Sequence, residues 1–185
     1  MQVLYVDNQS NYPGNLFEPH WIYKNFNIES DSVIAFIGNP EMALKTIVMN
    51  ENPPGFTGFG VMLNFLIEHF DNNLEIATYR KRMFIVSIKE EIERYGISAT
   101  RWEGDLFFNK RRLSTSIAIS STVSTLLYTA IYLDKKDQPI KTWGLKELGI
   151  KDIESFAQNI MLGYKRELEG IYQERCRIKE TRFNN

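Results

Sequence analysis

Between residues 99 and 133 the chain runs through three strand-like stretches, 99–108, 112–120 and 124–133, with only three residues in each gap. No helix fits in such gaps. Parallel neighbours need a crossover of about a dozen residues or more, so these stretches must turn straight back on one another. Further strands are predicted over 2–6, 32–37 and 74–77. Helical spacing is read over 61–70 from Val61, Met62, Phe65, Leu66 and His69, and over 79–95 from Ile85, Ile88, Ile92 and Tyr95. A third stripe, over 152–176, is formed by Ile153, Phe156, Ile160, Tyr164, Leu168 and Ile171, and a shorter helix lies around 18–26. Helices and strands are interspersed without a regular βαβ rhythm. The expected class is α+β, an antiparallel or mixed sheet with helices packed on it.

Turn-forming clusters fall at 11–15, 38–40, 52–55, 71–73 and 134–139, and none reads as a domain boundary. The 185 residues are expected to form a single domain, 1–185. Lys and Arg number 22 against 23 Asp and Glu, a formal net charge of −1, and 43% of residues are hydrophobic. That excludes intrinsic disorder. It also excludes a nucleic-acid binder that works by bulk positive charge. Cys176 is the single cysteine, and His20 and His69 are the two histidines. A four-cysteine or histidine-rich metal centre is therefore ruled out, and no metal is expected. No secretory signal pattern appears, and no apolar run reaches the roughly 18–20 residues of a membrane span. A cytoplasmic protein with no membrane partner is expected.

The stretch richest in chemistry is Arg101-Trp102-Glu103-Gly104-Asp105-Leu106-Phe107-Phe108-Asn109-Lys110-Arg111-Arg112-Leu113-Ser114-Thr115-Ser116. Asn tolerates positive φ, so Asn109-Lys110 reads as a two-residue hairpin loop. That loop opposes Phe108 to Arg111, Phe107 to Arg112, Asp105 to Ser114 and Glu103 to Ser116. Opposed residues share a face. One face then gathers Arg101, Glu103, Asp105, Phe107, Arg112, Ser114 and Ser116; the other gathers Trp102, Leu106, Phe108 and Leu113. Small hydroxyls leave room above a sheet, and the guanidinium of Arg112 is a planar fork suited to carboxylate or phosphate. Asp105 could orient a polar group or a cation. The competing reading is a solvated outer face with its charges paired across strands.

This stretch resembles the segment Lys-Trp-Pro-Asn-Asp-Leu-Tyr-Leu-Asn-Gly-Arg-Lys-Leu-Ala of biotin–protein ligases, with Trp102, Asp105, Leu106, Asn109, Arg111 and Leu113 identical. The resemblance places Arg112 where biotin and lipoate ligases carry the lysine that holds the acyl carboxylate and activated phosphate. It places Asp105 beside the nucleotide and so implies ATP. Gly104 stands for the ligases' Asn, Thr115 for a glycine, and no Gly-Arg-Gly-type adenylate loop lies upstream. A longer resemblance, to the uncharacterised domain-of-unknown-function family 366, runs through Asn15-Leu16, His20-Trp21, Asn25-Phe26, residues 31–36, 65–70 and 101–118, and Gly144-Leu145-Lys146-Glu147-Leu148-Gly149-Ile150. It implies the fold of biotin/lipoate ligases and class II synthetases.

Elsewhere, Arg80 and Arg82 with Arg101 and Arg112 could build a cationic rim for a phosphorylated ligand, against the alternative of solvated helix positions. His20 beside Trp21 could supply acid–base chemistry or be a hydrogen-bonded, half-buried histidine. Gly55-Phe56-Thr57-Gly58-Phe59-Gly60 could cradle an anion or form an ordinary turn. The expected ligand site is thus Arg112, Asp105, Arg101, Ser114, Ser116, Arg80 and His20, taking a small-molecule anion. The expected function is that of an enzyme or former enzyme of ligase-like fold, a ligase or acyl transferase if catalytic, that binds a small carboxylate or phosphorylated, acyl-adenylate-like metabolite. The alternatives are a non-catalytic binding or regulatory module and a structural, homo-oligomeric protein.

Overall fold

The computed structural model describes residues 1–7, 16–39, 60–137 and 141–177. Its larger sheet holds β1 (Gln2–Val6), β2 (Ser32–Gly38), β3 (Met62–His69), β7 (Ser114–Ser120) and β8 (Thr125–Tyr132), in the order β1-β2-β3-β8-β7. β1 and β2 are parallel and every other pair is antiparallel, so the sheet is mixed. A smaller antiparallel sheet is made of β4 (Thr100–Trp102), β5 (Asp105–Phe108) and β6 (Arg111–Arg112). Helix α1 spans Trp21–Phe26, α2 Leu74–Arg94 and α3 Ile153–Arg177. This is the expected α+β class.

Each face of the large sheet carries its own core. On one, Val33, Phe65 and Leu127 pack against Phe84 and Ile88 of α2 and Phe156 and Ile160 of α3. On the other, Ile34, Leu66 and Tyr128 pack against Leu16, Phe17 and the Trp21 and Ile22 of α1. α2 and α3 run antiparallel: Tyr95 past the end of α2 meets Phe156 at the start of α3 edge-on, and Phe84 meets Tyr164.

The double cover explains the largest departure from the sequence pattern. Residues 61–70, expected as a helix, form strand β3, all eight of whose residues are buried. β3 lies between β2 and β8. A strand covered on both faces needs no polar alternation, and an unbroken apolar run satisfies helical spacing by accident. Residues 74–77, expected as a strand, open α2. Asn73 lies one residue outside the helix, and its side-chain oxygen accepts the Ile76 N–H at 3.0 Å, an N-cap. The helix expected over 79–95 therefore begins five residues earlier. Residues 99–108 are two strands, because Glu103 (φ 52°) and Gly104 (φ 95°) make a second tight reversal. The turn clusters at 11–15 and 52–55, and the glycine-rich stretch up to Phe59, lie outside the described residues.

Candidate functional site

The reversal at Asn109 and Lys110 forms with both residues at positive φ, 48° and 62°. It sets Phe107 opposite Arg112 and Phe108 opposite Arg111, as read from the sequence. Beyond Arg112 the register changes hands. β6 ends there, Leu113 donates to the Leu106 carbonyl at 2.8 Å, and Ser114 enters the large sheet opposite Ile131. The extended pairing of Asp105 with Ser114 and Glu103 with Ser116 is therefore replaced by side-chain contacts. The buried Ser114 hydroxyl accepts the Leu106 N–H at 2.9 Å. The Ser116 hydroxyl lies 3.0 Å from both the Gly104 carbonyl oxygen and Asp105 Oδ1.

Arg112 and Asp105 form an ion pair, Nη1 to Oδ2, at 3.3 Å, with side chains 22% and 16% exposed. The guanidinium lies over the Phe107 ring, 5.7 Å from its centroid. The Arg112 backbone is clamped on its other edge: its N–H donates to the Lys141 carbonyl at 3.2 Å, and its carbonyl accepts the Trp143 N–H at 3.0 Å. The strap that supplies these bonds turns back against β8 at Gly144. A Cβ there would stand 2.4 Å from the Leu133 carbonyl oxygen, so only glycine fits. The backbone of Arg112 is thus paired with β5 on one edge and bonded to the strap on the other.

The second reversal redistributes the faces. Because the chain turns at Glu103-Gly104, Trp102 opposes Asp105 and Arg101 opposes Leu106. Trp102, expected on the apolar face, joins the Asp105 face, where it is 62% exposed and stacks edge-on with Phe107 at 5.9 Å. Arg101, expected beside Asp105, falls on the Leu106 side of the small sheet and is exposed. Two reversals four residues apart shift parity, and a single hairpin cannot reproduce that.

Arg80 and His20 are not brought to this group either. Arg80 pairs with Asp71, in the loop before α2. His20 precedes α1, stacks on Phe70 at 5.5 Å and donates its backbone N–H to Glu68 Oε1 at 2.7 Å. Glu68 faces the α1 core, so His20 is tied to a separate part of the molecule. The residue that does arrive is Lys81. A Cβ placed on Gly104 would lie 3.5 Å from its ammonium, and its charge acts on Asp105. Lys81 carries no sequence motif; Trp102 lies in the ligase-like segment, and Glu103-Gly104 read as a two-residue turn would have placed it on the Asp105 face.

Burial dominates the electrostatics. It pushes the Asp105 carboxyl above the usual carboxylate range despite the opposing pull of Arg112, Ser116 and Lys81. It lowers the Lys81 ammonium, against Asp105. It raises the Tyr132 phenol to about 12, with Arg112 opposing and Asp105 adding. A carboxyl whose hold on its proton is raised by burial beside two cations is an arrangement found at ligand and reaction sites. Among the described residues no group of three or more His, Cys, Asp or Glu is placed to hold a metal ion, and no helix is long and apolar enough to cross a membrane.

A family model described as a domain of unknown function, DUF366, matches residues 1–179. An uncharacterized protein of Methanocaldococcus jannaschii is 32% identical over 182 residues, covering 94% of this chain and 82% of that protein. Among solved structures, a protein of unknown function from Pyrococcus horikoshi superposes with a TM-score of 0.79 at 24% identity, over 98% of this chain and 100% of that one. A biotin protein ligase from Aquifex aeolicus in complex with biotin gives 0.63 at 12% identity, over 94% and 72%. A lipoate-protein ligase A bound with ATP gives 0.60 at 11%, over 91% and 85%. The fold is that of the biotin/lipoate ligases.

Proposed function

We propose that this chain, which belongs to the DUF366 family and has the ligase fold, binds a small carboxylate or phosphorylated, acyl-adenylate-like metabolite on the face that carries Asp105 and Arg112. The observation that carries this is the half-buried Arg112–Asp105 pair, stacked on Phe107 and flanked by Lys81 and the exposed Trp102. Arg112 offers the anion a fork whose backbone is fixed on both edges, and little ordering is needed when the ligand arrives. Lys81 adds a second cation. Asp105, steadied by Ser116, orients a hydroxyl or a cation of the ligand. The Trp102 ring is a stacking surface for a planar group. Ser114 serves the site from behind by holding the Leu106 amide.

Two cations, a poised carboxyl and an exposed indole also fit a nucleotide, and one solved neighbour is bound with ATP. ATP would supply the activated phosphate to which a carboxylate is joined. The work left to the protein is positioning and stabilisation of charge, which Arg112 and Lys81 perform on a phosphoryl or carboxylate oxygen. This reading takes residues 1–185 as one cytoplasmic domain acting as a ligase or acyl transferase. Thermal-shift screening of ATP, lipoate and biotin against the wild type and Arg112→Ala tests it. Stabilisation of the wild type alone is expected; no stabilisation, or stabilisation untouched by Arg112→Ala, rejects it.

One observation favours a second reading, a non-catalytic binding module. Arg112 is already neutralised by Asp105 and stacked on Phe107, which suits holding an anion better than following a moving charge. Pyrophosphate release from ATP separates the two: release lost in Asp105→Asn supports an enzyme, and ligand binding without release supports the module.

A further inference from the structure

The two edges of the large sheet are finished differently. At β7 the small sheet closes over the first residues: Leu113 and the Ser114 hydroxyl hold the carbonyl and the N–H of Leu106, and the Ser116 hydroxyl holds the Gly104 carbonyl. Further along, Ser120 donates to the Asn72 carbonyl at 2.9 Å. β1 ends the sheet on the other side with no such cover among the described residues. Its sequence, Gln2-Val3-Leu4-Tyr5-Val6, has no charge and no proline, and it pairs with β2 residue for residue, without a bulge. Charges, prolines and bulges are what keep a bare edge from pairing, and β1 has none of them.

The backbone groups left open follow from the register. Gln2 donates its N–H to the Asp31 carbonyl at 2.9 Å. In a parallel ladder alternate residues serve one neighbour, so Gln2, Leu4 and Val6 bond to β2, and Val3 and Tyr5 turn N–H and C=O outward. The side chains are unfinished as well. Val3 and Tyr5 pack at the margin of the core under α2 and α3, Leu4 and Val6 at that of the α1 core, all four half-buried. A partner strand has to be apolar on both faces, and β1 itself is. Laid antiparallel about a two-fold axis at Leu4, it sets Val3 against Tyr5 of the second copy, a β-branched residue against an aromatic one, in pairs that exchange both backbone bonds.

Charge selects that direction. The carboxylates of Glu154, Asp7 and Asp152 gather about Tyr5 and, after burial, raise its phenol. The Met1 end is balanced: around the cavity that Met1 lines, Arg80, Lys165 and Arg175 stand with Asp31, Asp71 and Glu169. Asp31 Oδ2 meets His69 Nδ1 at 2.9 Å, its other oxygen accepts the Phe70 N–H at 2.9 Å, and His69 Nε2 meets the Tyr164 hydroxyl at 2.9 Å. Antiparallel pairing lays the acidic end of each copy against the balanced end of the other, whereas parallel pairing lays acid on acid.

We propose that β1 is a docking edge for a second copy of this chain, the two β1 strands pairing antiparallel about Leu4 so that the two large sheets become one. Sedimentation of the full chain is expected to give a dimer. Val3→Pro removes an outward N–H and spares the β2 ladder, so it should give a monomer with a cooperative melt. In a Cys176→Ser background, Leu4→Cys places two thiols across a non-hydrogen-bonded pair, with Cα atoms about 4.5 Å apart, and should cross-link on mild oxidation. Gln2→Cys, which faces Val6 of the second copy, should not. If Val3→Pro fails to fold, the two cysteine variants decide. A monomeric wild type overturns the proposal and leaves the edge to an extended segment of another protein. A dimer that folded Val3→Pro leaves intact overturns it too, as does cross-linking of Gln2→Cys as readily as Leu4→Cys. A dimer split by Tyr172→Glu but not by Val3→Pro lies on the α2–α3 groove instead.

Discussion

Two aspartates on the two flanks of α2 answer their surroundings in opposite ways. Asp31 lies below the usual carboxylate range: burial pulls it up, but the His69 hydrogen bond, the Phe70 amide and the charges of His69 and Arg80 outweigh it. Asp105 lies above that range, because burial outweighs Arg112, Ser116 and Lys81. Asp31 spends both oxygens on partners within the fold, and its charge is a structural fixture. Asp105 is more buried than its partners compensate, and in the function proposed above a ligand completes it. The same side chain type thus marks a finished joint on one flank and an open one on the other.

The sharpest way to break that contrast is to remove one member of each. His69→Ala leaves Asp31 and the buried Tyr164 hydroxyl without their shared partner and opens a hole beneath the α2–α3 contact. A loss of about 3 kcal/mol in urea unfolding is expected. Arg112→Ala acts on a partly exposed pair with Lys81 still beside Asp105, so about 1 kcal/mol is expected, together with loss of ligand stabilisation. Equal losses would mean that both flanks are structural.

The pH dependence has opposite signs at the two sites. The lowered Asp31 contributes stability that is present above its unfolded value of about 3.9 and is lost as pH falls towards its folded value. The raised Asp105 favours its protonated form in the fold, a contribution that is full below about pH 3.9 and is lost as pH rises through its folded value. Relative to Asp31→Asn, the wild type should therefore gain unfolding free energy as pH rises from the acid side. Relative to Asp105→Asn it should lose it. Urea melts from about pH 3 to about pH 7 read both slopes; two slopes of one sign would contradict the electrostatic contrast.

The smallest effect concerns the reversal that builds the platform. Lys110 sits at φ 62°, a conformation costly for any residue with a Cβ. Lys110→Gly should stabilise by roughly 0.5 kcal/mol, the relieved strain being partly offset by the entropy of glycine in the unfolded chain. Destabilisation would mean that the lysine side chain is itself needed there.

The turn at 109–110 is legible in the sequence because Asn announces positive φ, and with it the pairing of Phe107 with Arg112. The companion turn is less so, since Glu103-Gly104 lies inside a stretch whose alternation continues across it. That hidden reversal moved Arg101 off the platform and Trp102 onto it. Lys81 could not be seen at all, because its nearness to Asp105 is created by α2 crossing a sheet some twenty residues later in the chain. Strand β3 was masked by its own burial: with both faces covered, Met62 to His69 lacks the alternation by which a strand is recognised. Local backbone chemistry is readable from neighbouring residues, whereas parity and burial depend on what the rest of the chain places alongside.

The platform itself is tested most directly by calorimetric titration of lipoate, with ATP present, into the wild type, Arg112→Ala and Arg80→Gln. Saturable binding to the wild type and to Arg80→Gln, lost in Arg112→Ala, is the expected result. Binding that survives Arg112→Ala undiminished, or no binding to the wild type, would show that Asp105 and Arg112 are only a salt bridge on the surface of a ligase-like fold.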